Sequence, residues 1–134
     1  MDPRAELESK IPGFPGYGDA DARRLSDEEV RACLGEALAV LGDRLGPVGA
    51  LAERYESTLL RAEFINQAAF HVYESATLDD ARTAAMATAD LAAVALADRA
   101  GAVDANSFSA YLDSVNAAFD ERERLMEASP STLT

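Results

Sequence analysis

The longest amphipathic pattern in this sequence runs from Pro47 to Ala76. Read at alternating steps of three and four residues, it gives a line of positions without a charge: Val48, Leu51, Tyr55, Thr58, Ala62, Ile65, Ala69, Val72 and Ala76. That spacing is typical of the buried face of an α-helix. Asn66 and Gln67 are the most polar point in its middle and the place where an irregularity would fall. We nevertheless expect them on the exposed side of one straight helix.

A second apolar line follows the same predicted helix. Leu60, Phe64 and His71, with Gln67 between them, recur at steps of four, three and four residues, and Phe70 lies beside them. At about 100° per residue, this line lies nearly opposite the first. A helix with two apolar sides has to be covered twice, once by its own domain and once by something else.

Three further helices are predicted, over residues 26–45, 78–100 and 105–128. The first opens on the Ser-Asp-Glu-Glu sequence of residues 26–29, which has the form of a capping box. The second is rich in alanine, and Asp90 is expected on its exposed edge. The third has alternating charges from Asp120 to Arg124, expected on its solvated side. Its predicted buried stripe is Phe108, Leu112, Val115, Phe119 and Met126.

The first 25 residues are predicted to form an extended arm, because prolines and glycines between positions 12 and 18 interrupt regular structure. Large hydrophobic side chains alternate with these breakers at Ile11, Phe14 and Tyr17. Two interpretations stay open ahead of simple disorder: the arm docks into a groove of a partner, or it packs on its own domain. Asp19 is a possible cap for an extra helical turn before residue 26.

Short connections between helices favour antiparallel neighbours. The sequence therefore predicts an all-α, up-down-up-down four-helix bundle over residues 26–128. An irregular N-terminal arm over residues 1–25 precedes it, and a frayed tail over residues 129–134 follows it.

The chain is strongly acidic, with 24 acidic and 12 basic residues and a formal net charge of −12. Nucleic acid and anionic membrane surfaces are therefore disfavoured as partners, since both require basic surfaces. No apolar run approaches the roughly twenty residues that a membrane span needs, and we expect a cytoplasmic protein. Cys33 is the single cysteine, which leaves no disulfide framework within the chain.

Enzyme chemistry finds little support in the sequence. One cysteine and one histidine cannot supply the ligands of a zinc cage. A di-metal site in a helical bundle uses Glu-x-x-His, whereas His71 and Glu74 stand in the reverse order. A phosphotransfer role for His71 is disfavoured because Glu74 would repel phosphate. We therefore predict no catalytic residue, no metal ligand and no cofactor.

The pattern favours a non-enzymatic protein–protein interaction module that self-associates as a homodimer, with another protein as a further candidate partner. Its predicted interaction residues are Ile11, Phe14, Tyr17, Leu60, Phe64, Phe70 and His71. A first alternative is a bundle that binds a small molecule or cofactor in a pocket lined by Tyr55, Phe64, Phe70 and Tyr73. A second is an acidic decoy that competes for a basic nucleic-acid-binding protein.

Overall fold

The helical periodicity of the sequence becomes six α-helices and a short 3-10 turn in a computed structural model that describes residues 2–128. The described residues contain no β-strand, so the predicted all-α class is confirmed. The frayed tail predicted for residues 129–134 lies outside the described residues. The helices are α1 (Pro3–Lys10), α2 (Ala20–Leu45), α3 (Gly49–Glu63), α4 (Gln67–Glu74), α5 (Asp80–Asp98) and α6 (Phe108–Glu127), and the 3-10 turn is Ala100–Ala102.

Helix α2 begins six residues before the predicted capping box. Asp19 is the N-cap, and its carboxylate accepts a hydrogen bond of 2.8 Å from the backbone N–H of Ala22. Ser26 is buried inside the helix, where its hydroxyl donates to the carbonyl of Gly16 at 2.6 Å. The prediction of a capping box at Ser26 is therefore wrong, because the helix already begins after Asp19. Ser26 instead bonds the N-terminal segment through the carbonyl of Gly16.

The long central helix is broken, and the expectation of one straight helix is wrong. Helix α3 ends at Glu63, and α4 begins at Gln67. The side chain of Asn66 accepts a hydrogen bond from the backbone N–H of Ala69 at 3.1 Å and so caps α4. Asparagine is a strong N-cap, which is why the polar point in the sequence is a new helix start.

The N-terminal segment folds back on its own chain. Residues Pro3–Lys10 form α1, so the extended arm is wrong over this range; proline suits the first turn of a helix because its missing N–H is not needed there. Helix α1 packs on α5, with Leu7 fully buried and an ion pair of 2.6 Å between Lys10 and Asp98. Residues 11–19 then lead irregularly into α2.

The packing partners of α6 are α3, α4 and α5, while α2 packs against α3 and α5. Arg54, near the start of α3, bonds Ser109, near the start of α6. Arg61, a full two turns later, bonds Asn116. Helices α3 and α6 therefore run in the same direction. The predicted stripe of α6 is buried, with Phe108, Leu112, Val115, Phe119 and Met126 all in the core.

Arginine side chains from neighbouring elements donate to carbonyl groups at helix ends or just beyond them. The last turn of a helix exposes carbonyl oxygens and carries partial negative charge, so a guanidinium with several N–H donors suits it well. The four donor sets are Arg23 to Tyr73 and Ala76, Arg31 to Ala62, Arg44 to Ala100 and Val103, and Arg82 to Leu125 and Met126. Each one joins two parts of the chain that are far apart in sequence.

Over residues 2–128, none of the helices combines the length and the apolar character that crossing a membrane requires.

Alanine substitutions at two glycines of α2 should change the free energy of unfolding in opposite directions. A methyl group at Gly42 would collide with the hydroxyl end of Tyr55, which donates to the carbonyl of Leu38 at 2.8 Å. At Gly35 the nearest atom would be Cβ of Ala62, at an ordinary 3.6 Å. Gly42→Ala should lower the free energy of unfolding by about 1–3 kcal/mol. Gly35→Ala should raise it by about 0.5–1 kcal/mol, through helix propensity. Urea denaturation measures both, and equal effects would contradict this packing.

Candidate interaction surface

The end of α3 carries two large, exposed hydrophobic side chains. Leu60 is 54% exposed and Phe64 is 66% exposed, and the two lie one helical turn apart. Together with Arg61, Asn66 and Glu123 they line an open cleft between α3 and α6. We call Leu60 and Phe64 the α3 patch. Nothing among the described residues covers it.

Helix α4 holds two of the predicted interaction residues, Phe70 and His71, and they lie on different sides of it. His71 projects into solvent, with its side chain 85% exposed. Phe70 is buried, 1% exposed, with its ring edge-on to Tyr73 at 5.9 Å between centroids and the guanidinium of Arg24 above it at 4.4 Å. Phe70 is thus part of the core rather than of the exposed surface. One residue step separates the two outcomes because neighbouring positions on a helix point about 100° apart.

The hydrophobic residues of the arm also pack within the chain. Phe14 and Tyr17 are buried and meet edge-on at 5.8 Å, and Ile11 is half-buried against the core. Of the two interpretations left open, packing on the same domain describes this structure. The arm leaves the α3 patch uncovered.

The four aromatic residues proposed to line a small-molecule pocket are not gathered around one cavity. Tyr55 packs edge-on against Phe108 at 5.8 Å, on a different contact from the Phe70–Tyr73 pair. Phe64 faces solvent. The prediction that these four rings line one pocket is therefore wrong. The break between α3 and α4 places the rings of the two helices in separate contacts.

Beneath the α3 patch lies a buried network of charges, which sequence reasoning missed. The guanidinium of Arg122 donates to Asp90 at 2.7 Å and to Asp27 at 2.8 Å. Asp27 also accepts from Arg31 at 2.8 Å, and the hydroxyl of Tyr17 donates to Asp90 at 2.6 Å. Arg122, Asp27 and Asp90 are almost completely buried. The solvated positions expected for Asp90 and Arg122 are therefore wrong.

A signal for this network exists in the spacing. Arg122 stands three residues after Phe119 and four before Met126, so it occupies a position on the buried stripe of α6. Asp90 stands midway between Met86 and Val94, two buried residues of α5. A charge on a buried line at helical spacing needs a partner of opposite charge.

Burial and pairing act on the ionisation of these groups in different ways. Burial raises the pKa of Asp90, while Arg122 and the Tyr17 hydroxyl oppose that change. For Arg122, burial alone would lower the pKa, but Asp90 and Asp27 outweigh it, and the net shift is upward. Burial and the Asp90 charge raise the pKa of Tyr17. Arg122 and Tyr17 therefore keep their protons and remain donors to the carboxylates.

The network reaches the α3 patch through Arg31. While Asp27 holds its Nε, Arg31 donates through Nη1 to the carbonyl of Ala62 at 3.2 Å, next to the end of α3. The small cleft where Asp27, Arg31 and Arg122 meet Phe64 has about 10 Å³ available to the centre of a water molecule. That is space for about one water. The charges thus hold the helix end that presents Phe64, and the cleft has no space for a substrate.

The side chains that could bind a metal ion or act as a nucleophile are not arranged for either role within residues 2–128. Among residues 2–128, no three His, Cys, Asp or Glu side chains are grouped in a way that could hold a metal ion. The thiol of Cys33 is half-buried, and burial together with the carboxylate of Glu36 raises its pKa, which disfavours the reactive thiolate.

Comparison with protein families, with curated proteins and with solved structures finds no match to this chain.

Replacement of Arg122 should strongly lower the free energy of unfolding. Arg122→Leu leaves Asp27 and Asp90 buried without their shared cation, and we expect a loss of about 3–5 kcal/mol in the free energy of unfolding. Arg124→Leu, two residues along the same helix, removes an exposed ion pair with Glu121 and should change stability little. Chemical denaturation of the two variants tests the network; similar losses would contradict it.

Two buried tyrosines provide a second test. Tyr17 donates to Asp90, whereas the hydroxyl of Tyr73 has no hydrogen-bond partner within residues 2–128. Tyr17→Phe should lower the free energy of unfolding by about 1–3 kcal/mol, because a hydrogen bond to a buried carboxylate is lost. Tyr73→Phe should leave it unchanged or raise it. Thermal and urea denaturation measure both changes. A larger loss of stability for Tyr73→Phe than for Tyr17→Phe would refute the hydrogen bond between Tyr17 and Asp90.

Proposed function

We propose that this protein is a non-enzymatic, acidic interaction module of the cytoplasm that binds a protein partner through the α3 patch. The observation that carries the proposal is the exposure of Leu60 and Phe64 on adjacent turns, at 54% and 66%. Large apolar side chains that lie together on a soluble surface often mark binding sites. Aromatic and aliphatic anchors of this kind contribute most of the affinity in protein interfaces.

The rigid support of the patch favours binding. Arg61 lies with its guanidinium over the ring of Phe119 at 5.2 Å and bonds Asn116, so the helix turn between Leu60 and Phe64 is anchored to α6. A surface that is ordered before its partner arrives loses less conformational entropy on binding. Phe64 itself contributes little to the core, so its exposure is better accounted for by an interface than by folding.

Self-association is the second candidate. A two-fold homodimer would place one α3 patch against another, and such dimers are the commonest oligomers. Light scattering at high micromolar concentration measures it, and in that case Phe64→Asp should dissociate the dimer while helicity by circular dichroism stays the same. A monomeric wild-type protein would remove this candidate and leave the interaction module standing.

We also propose a helix topology for the fold. We infer a four-helix bundle of alternating direction, in which α3 and α4 together form one broken helix. The packing of α2 on α3 and α5, and of α6 on α3, α4 and α5, supports this arrangement. Because α3 and α4 pack on α6 while α5 packs on α2 and α6, the connection from α4 to α5 crosses the bundle, unlike the sequential neighbours expected from short loops.

The interaction function is tested by photo-crosslinking in the native cell. A photoreactive residue replaces Phe64 in one variant and Val40 in the other; Val40 is 62% exposed but lines a separate cleft on α2. We expect adducts with a defined polypeptide at position 64 and not at position 40, because only the α3 patch is a binding site. Mass spectrometry identifies the adduct, a second copy of this chain included. Equal or absent crosslinking at the two positions would contradict the proposal.

A further inference from the structure

We propose that the α3 patch binds a basic amphipathic helix of another protein rather than a second copy of this chain. This inference rests on the proposed function and specifies the chemistry of its partner. It follows from the charges that surround Leu60 and Phe64.

Carboxylates border the α3 patch along α3. Glu56 and Glu63 are both exposed, and they stand four residues before and three residues after Leu60. Side chains at these spacings are neighbours on the surface of a helix. A partner that covers Leu60 therefore comes within reach of both carboxylates.

Carboxylates also border the α3 patch along α6. Glu123 lines the same cleft as Phe64, and Asp120 lies one turn before it. Arg61 is the basic residue of the cleft, and its guanidinium is already paired with Asp120 at 2.9 Å and with Glu123 at 3.4 Å. We call Glu56, Glu63, Asp120 and Glu123 the acidic rim: four carboxylates stand against one guanidinium.

A second copy fits this surface poorly. A two-fold interface would bring the acidic rim of one subunit against the identical rim of the other, and like charges across an interface oppose association. The formal net charge of −12 on each chain adds repulsion at longer range. A partner with lysine or arginine around apolar anchors would meet the opposite charge at the rim.

The spacing of the anchors favours a helix as the partner's form. Leu60 and Phe64 lie one turn apart, about 6 Å along the helix axis. An amphipathic helix places its own apolar residues at steps of three and four, which matches this separation, and its flanking basic residues would reach the acidic rim on both sides. The open cleft between α3 and α6 leaves one side of the patch free for such a helix.

The test uses two fluorescent amphipathic peptides of equal length and identical leucine positions, one with lysine and one with glutamate on the polar face. Fluorescence anisotropy measures their binding to the full chain. We expect the lysine peptide to bind, with an affinity that falls as salt rises, and the glutamate peptide not to bind. Phe64→Ser should weaken binding of the lysine peptide by about tenfold or more, and Val40→Ser should leave it unchanged.

Charge-matched variants separate the acidic rim from the overall charge. Glu63→Lys and Glu8→Lys change the net charge equally, but Glu8 lies on α1 and outside the rim. We expect Glu63→Lys to weaken binding about fivefold to tenfold, by loss of attraction and gain of repulsion, and Glu8→Lys to have little effect. Equal losses, or binding that Phe64→Ser does not change, would overturn the proposal.

The failure of this inference is distinguishable from failure of the proposed function. If crosslinks form specifically at position 64 but the lysine peptide does not bind, the interaction module stands and the basic helix is refuted. The same holds if the adduct at position 64 is a second copy of this chain. If position 64 gives no specific crosslink, both proposals fail together.

Discussion

The structure depends on the bridge that Arg122 makes between two buried carboxylates. Its guanidinium on α6 bonds Asp27 on α2 and Asp90 on α5, and Tyr17 adds a further bond to Asp90. Removing charges from water is expensive, so a buried arrangement of this kind tolerates little displacement of its members. The bridge therefore sets how far each of these helices is shifted along its neighbours, and it fastens the N-terminal segment to the same point.

The bridge also accounts for the shape of the surface above it. Asp27 orients Arg31, which bonds the carbonyl of Ala62 at the end of α3. With that carbonyl satisfied from outside the helix, the chain can leave helical geometry and restart at Asn66. Phe64 lies in the short break between the two helices and faces solvent. A buried ion pair and an exposed hydrophobic residue are thus parts of one chain of contacts.

This combination fits the interaction module that we propose. The buried charges bond one another, and the small cleft where Asp27, Arg31 and Arg122 meet Phe64 has space for about one water. What remains for a partner is a firmly held apolar pair with carboxylates on either side. Apolar anchors supply binding energy, and the surrounding charges select the partner and speed its approach. In this proposal affinity and selectivity reside in different side chains of the same surface.

The sequence by itself determined the helical class, the buried stripe of α6 and the separation of Leu60 and Phe64 from the main buried line, because helical periodicity depends only on neighbouring residues. It also marked Asn66 as an irregular point, although an exposed position on a straight helix had been expected there. Tertiary structure alone decided the break at that point, the burial of Phe14 and Tyr17, and the pairing of Asp90 and Asp27 with Arg122. The physical reason is distance along the chain. Asp27 and Arg122 are 95 positions apart, and a charge can be buried only where the fold brings its counter-charge to meet it.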